Sequence, residues 1–166
     1  MTQFRAYNGP APTTAAPTRV ATGTSIKTLL QIATPSTKDL EIVEWGISFD
    51  GTTASDAPVK VELIQTDVAA TVTAHVAAGV IPWDDPNGPA SLVTLGTSAT
   101  GYTATVEGST TASRMLDYAD VTPYGGLYRK EFSLGARPKL PVSKFLRVRV
   151  TAAATVNAVC FVTWAE

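Results

Sequence analysis

The sequence predicts an all-β protein, an antiparallel β-sandwich, and three observations carry that prediction. Apolar and polar residues alternate with a period of two along several stretches, the pattern of strands that bury one face. Twelve Gly and eleven Pro residues break those stretches at short intervals, as turns do. No segment holds a helical period of useful length. The most Ala-rich one, VAATVTAHVAAG, is full of Val and Thr, so one short helix at most is expected there or near Ser113–Tyr118.

Residues 1–24, rich in Pro, Thr, Ala and Gly, form the first element. Pro10, Pro12 and Pro17 forbid a helix and favour extended backbone, so this segment is expected to be an extended arm outside the sandwich. Phe4 and Tyr7 are its anchors if it orders against another subunit. The sandwich domain then occupies residues 25–166. SIKTLLQIA is its first strand, ended by Pro35.

Two clear strands follow in LEIVEWGISFDGTTASDAPVKVELIQTD, at 40–67. Val43, Trp45, Ile47 and Phe49 share one face of the first, with Ile42, Glu44, Gly46 and Ser48 on the other. Val59, Val61 and Leu63 alternate with Lys60 and Glu62 in the second. Asp50-Gly51 tolerates positive φ, which predicts a hairpin turn between them.

Residues 71–78 give a weaker strand, and the prolines at 82, 86 and 89 make most of residues 79–96 loop. GYTATVEG at 101–108 alternates again, and a turn at Pro123–Gly126 precedes a strand near 127–134. KFLRVRVTA and TVNAVCFVTWAE close the chain. In the former, Leu146, Val148 and Val150 point inward while Arg147 and Arg149 point out. In the latter, Val156, Ala158, Cys160, Val162 and Trp164 share one face, yet Val159 and Phe161 make the other face apolar too. A loop or another subunit is expected to cover that second face. Self-association through Phe145, Phe161 and Trp164 is the favoured form.

The composition excludes several functions. Charged residues make up only 16%, and thirteen basic side chains face fourteen acidic ones for a net charge of -1. Such a chain has no electrostatic footprint for nucleic acid or for an anionic membrane. No run approaches the ~20 apolar residues of a membrane span, and MTQFRAYNG lacks the pattern of a secretion signal. The single cysteine, Cys160, lies in the apolar run AVCFV and reads as a buried thiol in a protein made in a reducing cytoplasm.

Catalytic patterns are equally sparse. His75 is the only histidine, with no G-x-S-x-G serine, and reads as a surface or loop residue. One histidine and one cysteine do not make a zinc set, and Asp84, Asp85 and Asn87 form a turn without EF-hand spacing. Glu41 and Glu44 fall on opposite faces of one strand, while Asp117 and Asp120 lie among turn residues. No cofactor, no metal and no enzymatic activity are expected. Trp83, with Tyr102, Tyr118, Tyr124 and Tyr128, is the candidate stacking platform for sugars.

Two segments carry a family likeness. EWGISFDGTTASDAPVKVELIQTD and FSLGARPKLPVSKFLRVRVTAAATVNAVCFVTWAE resemble small virion proteins of tailed phages of actinobacteria, the head decoration or cement proteins. The resemblance spans residues 25–166 and rests on overall pattern. It implies a jelly-roll-like sandwich, a trimer on the capsid exterior, and the major capsid protein as partner, with no catalytic residues. Phe4, Arg5 and Tyr7 are then the expected capsid contacts. A tail-fibre or carbohydrate-binding sandwich is the alternative.

Overall fold

A computed structural model of the chain describes residues 1–109, 111 and 113–166. In chain order its strands are β1 (Gln3–Tyr7), β2 (Val20–Ala21), β3 (Lys27–Ala33), β4 (Leu40–Phe49), β5 (Val59–Thr66), β6 (Thr71–Ala74) and β7 (Ile81–Pro82). Then follow β8 (Gly101–Val106), β9 (Ser113–Val121), β10 (Leu127–Glu131), β11 (Lys139–Leu140), β12 (Phe145–Thr151) and β13 (Asn157–Ala165). The only helical turn among the described residues is a 3-10 turn at Ala77–Gly79. Ser113–Val121 is therefore strand, paired along its length with β5, whose Val59, Val61, Ile64 and Thr66 are β-branched.

The strands form two antiparallel sheets packed face to face, the β-sandwich that the alternation predicts. One sheet, sheet A, runs β10-β4-β13-β1-β7, with β11 beside β4 and β2 beside β13; the other, sheet B, runs β6-β8-β3-β12-β5-β9. Both inner faces feed one core, with Trp45, Trp164, Phe4, Leu30, Leu63 and Val148 all buried. Cys160 lies in it as expected, and burial pushes its thiol pKa far up. Where the sheets meet beside β9 and β10, Asp117 accepts hydrogen bonds from Trp45 Nε1 (2.9 Å) and the Tyr128 hydroxyl (2.8 Å). Burial first, and that bond second, raise the Tyr128 pKa to about 12.

Three expectations change here. First, β4 and β5 are not a hairpin, because β4 belongs to sheet A and β5 to sheet B. Residues 50–58 cross between layers. Gly51 is needed for space, since a β-carbon there would meet the Pro123 carbonyl. Positive φ is not required of it.

Second, β4 changes face within its length. Thr163 of β13 pairs with Glu44 and Trp164 with Ile42, which leaves Val43 as the extra residue of a β-bulge. Leu40 and Ile42 therefore join Trp45, Ile47 and Phe49 in the core. Glu41 and Glu44 consequently share the outer face instead of opposing one another. Lys139 holds Glu41 at 3.4 Å, and two cations, Arg5 and Arg129, hold Glu44.

Third, the N-terminal segment is not an arm over its whole length. Gln3–Tyr7 pairs with Ala165–Phe161 of β13 and also with β7, so β1 lies inside sheet A. Its own alternation explains this, because Phe4 and Ala6 point into the core. Val20–Ala21 pairs further along the same strand, at Ala158 and Asn157. The Pro/Thr/Ala-rich part is thus a loop of residues 8–19, pinned at both ends.

Candidate interaction surface

The outer face of sheet A gathers the chemistry. On β1, Arg5 and Tyr7 point outward; on β13, Phe161 and Thr163 do; on β4, Glu44 and Gly46 do. The Arg5 guanidinium pairs with the Glu44 carboxylate, and its Nε donates to Thr163 Oγ1 at 2.8 Å. It is stacked 3.3 Å from the centre of the Trp83 ring and 4.5 Å from that of Phe161. The cation is thereby held by a carboxylate and by two aromatic rings. Glu44 also accepts from Arg129 Nε at 2.8 Å. Two guanidinium groups share one carboxylate.

Gly46 makes this packing possible. A β-carbon at that position would lie 2.7 Å from the Phe161 ring, so the ring occupies the space a side chain would take. Tyr7 adds a further ring 5.9 Å from Phe161. The apolar second face of β13 is therefore covered within the same chain, with the loop of residues 8–19 over Val159 and Arg5, Tyr7 and Trp83 around Phe161. Trp83 itself stays 50% exposed.

Beside this cluster stands the 8–19 loop. Asn8 extends the ladder of β1 with its side chain, accepting from Cys160 N (2.8 Å) and donating to the Ala158 carbonyl (3.2 Å). At the other end Thr22 N donates to the Val156 carbonyl (2.8 Å), and Val156 N donates to Thr22 Oγ1 (3.2 Å). Between these pins residues 12–19 are exposed. Prolines explain the departure, because Pro10, Pro12 and Pro17 have no N–H to give to β13. A cavity of about 340 Å³ lies under the loop, against Gly79, Ile81 and Val159.

The residues singled out from the sequence fall into three groups. Arg5, Tyr7 and Phe161 come together on the outer face. Phe4 and Trp164 are both fully buried on the inner face, 6.1 Å apart, so neither offers side-chain surface to a capsid or to a second copy. Arg5 is buried as well, leaving Tyr7 as the half-exposed member of the expected contact trio. Phe145 sits on the other sheet, opposite Ala33 and Thr66, half-buried and remote from Phe161. The tyrosines do not form one platform: Tyr102 packs on His75, Tyr128 clamps Asp117, and Tyr118 bonds Asp120 at 3.0 Å.

His75, expected at the surface, is buried instead, its Nε2 2.9 Å from the Tyr7 carbonyl. Arg147 points to the outer side of sheet B as expected, yet it is fully buried there. Its guanidinium donates to the Val68 and Glu107 carbonyls, and Glu107 in turn accepts from Thr28 Oγ1. Sequence reasoning missed Asn8, Thr163 and Gly46. One signal was present: Thr163 shares a face with Phe161 in an otherwise apolar strand, which marks a polar contact on that side. Among the described residues no three His, Cys, Asp or Glu side chains converge as a metal site would require, and no helix is long and apolar enough to cross a membrane. Comparison with protein-family models, curated proteins and solved structures gives no match.

Proposed function

We propose that this protein is a virion structural protein of a tailed phage, a head decoration or cement protein that binds the outside of the assembled capsid. The observation that carries the proposal is the exposed loop of residues 8–19, rich in Pro, Thr and Ala and pinned at both ends to β13. An extended segment with restricted ends loses less conformational entropy on docking than a free tail. It suits a role lying across neighbouring copies of the major capsid protein. The likeness of residues 25–166 to such proteins supports the same conclusion. By mass action, a ligand of the assembled shell alone stabilises that shell. The protein acts as a homotrimer on the capsid exterior, after synthesis in the host cytoplasm. It has no catalytic role.

Cosedimentation with purified capsids tests this. Replacing residues 10–18 by an equal length of Gly and Ser is expected to abolish pelleting while leaving the melting temperature unchanged. Undiminished pelleting of that variant would sink the capsid role of the loop. Light scattering should give a mass near three times 17.4 kDa; a monomer at micromolar concentration rules out the trimer.

A carbohydrate-binding or tail-fibre module is the second candidate, favoured by one observation. Trp83 is half exposed, and the stacked Arg5 guanidinium holds its ring in place. Polysaccharide retention that disappears in Trp83→Ala would select this function.

A further inference from the structure

His75 is the chain's single histidine, and only 4% of it is exposed. It follows the last residue of β6, where its N–H donates to the Thr100 carbonyl at 3.1 Å. Its ring packs against Tyr102, with centroids 4.9 Å apart, and against the turn Ala77–Gly79. The partner of Nε2 is a carbonyl, which only accepts, so Nε2 carries the proton and Nδ1 keeps the lone pair. Nδ1 is buried with no hydrogen-bond partner. It faces Gly79 so closely that a β-carbon there has no room.

The ring thus joins two walls of the cavity under the loop. Tyr7 belongs to one wall with residues 8–18, and Gly79 and Ile81 belong to the other. We propose that His75 is an acid-sensitive latch: a proton taken up at Nδ1 separates the 77–79 turn from the root of the loop and opens the cavity between them. The latch is a property of the chain itself, whether or not the loop meets a capsid.

A proton on Nδ1 would find no acceptor and no counter-charge. The groups facing the ring are the Tyr7 carbonyl from β1, Tyr102 from β8, the Gly79 backbone, and the Thr100 carbonyl on the ring's own backbone N–H. Burial and the Tyr7 carbonyl are the influences on its titration, with no charged side chain of the described residues among them. Burial lowers its pKa below 6.5, and the Tyr7 hydrogen bond offsets this only in part. The folded form therefore binds fewer protons than the opened one. Neutral His75 contributes its full stability above about pH 6.5, and that contribution drains as the pH falls toward the lower folded-state value.

Two measurements test the latch. An NMR titration of the one imidazole should place its pKa below 6.5 in the folded protein; a value at or above 6.5 overturns the proposal. Hydrogen exchange, corrected for intrinsic rates, should be roughly tenfold faster at pH 5 than at pH 7.5 in the hydrogen-bonded amides of Asn8, His75, Gly79 and Val80, and unchanged in the central strands. His75→Gln keeps a donor for the Tyr7 carbonyl without titrating, so its exchange should lose this pH dependence. Equal protection at both pH values in the parent chain, or an unaltered response in His75→Gln, rejects the latch. The imidazole titration and the exchange of the parent chain need no variant, and together they decide even if His75→Gln fails to fold.

Discussion

Each sheet of the sandwich buries one arginine on its outer face, and the two are satisfied in opposite ways. Arg5 on sheet A has a full counter-charge in Glu44, a hydroxyl in Thr163, and two aromatic rings against it. Arg147 on sheet B relies mainly on main-chain carbonyls of Val68 and Glu107, with the Glu107 carboxylate at 3.6 Å and its Nε left without a partner. Burial accordingly lowers the Arg147 pKa, and Glu107 reverses this only partly. The difference follows from what covers each face. On sheet A, Trp83 lies over Arg5 and the 8–19 loop lies over Val159. Sheet B is overlaid by its own β5–β6 connection, which Arg147 and Gln31 tie down; Gln31 exchanges hydrogen bonds with Ala70 and donates to the Ala99 carbonyl at 2.6 Å. One arginine organises a surface, and the other staples a cover.

The contrast can be broken at three points, taken from the largest expected effect. Arg147→Ala empties a fully buried site, removes a charged donor from the Val68 and Glu107 carbonyls and takes the nearby cation from the Glu107 carboxylate, so a loss of about 3–5 kcal/mol is expected in urea unfolding. A loss below that of Arg5→Ala would invert the comparison. Glu44→Gln leaves a buried guanidinium without its charge partner and should cost about 3 kcal/mol. The double variant Arg5→Met with Glu44→Gln should recover most of this, and a strictly additive loss would refute the pairing. Gly46→Ala pushes the Phe161 ring off its seat for about 1–2 kcal/mol. Phe161→Leu, made in the same chain, should relieve it; if it does not, the ring is not what fills the space.

Local pattern made the strands legible. The alternation in β4, β5, β12 and β13 appears in the residues themselves, and so does the burial of Cys160 and Trp45. Partners across the sheets were not legible. Asp50-Gly51 has the composition of a hairpin turn, yet the chain crosses to the other sheet there, because β4 finds a longer match in β13 than in β5. The Val43 bulge depends on how β13 registers against β4, and it reversed the expected relation of Glu41 and Glu44. His75 looked like a surface residue because its covering groups, Tyr7, Tyr102 and Gly79, come from three separate elements.

The interaction surface was half legible for the same reason. Arg5, Tyr7 and Phe161 stood out by residue type, but Phe4 and Trp164 stood out equally. Only the phase of β1 against β13 separates an inner from an outer residue.

By itself, then, the sequence determined an all-β sandwich with strands in nearly the right places, a proline-rich segment that stays outside the sheets, and a buried thiol. Those features depend on side-chain period and on backbone N–H groups that proline lacks, both properties of neighbouring residues. The tertiary structure alone decided that the first strand belongs to the core, that the proline-rich segment is a loop pinned at both ends, and that Arg5 packs on both Trp83 and Phe161. Each of those rests on contacts between residues far apart in the chain, whose pairing no local pattern encodes.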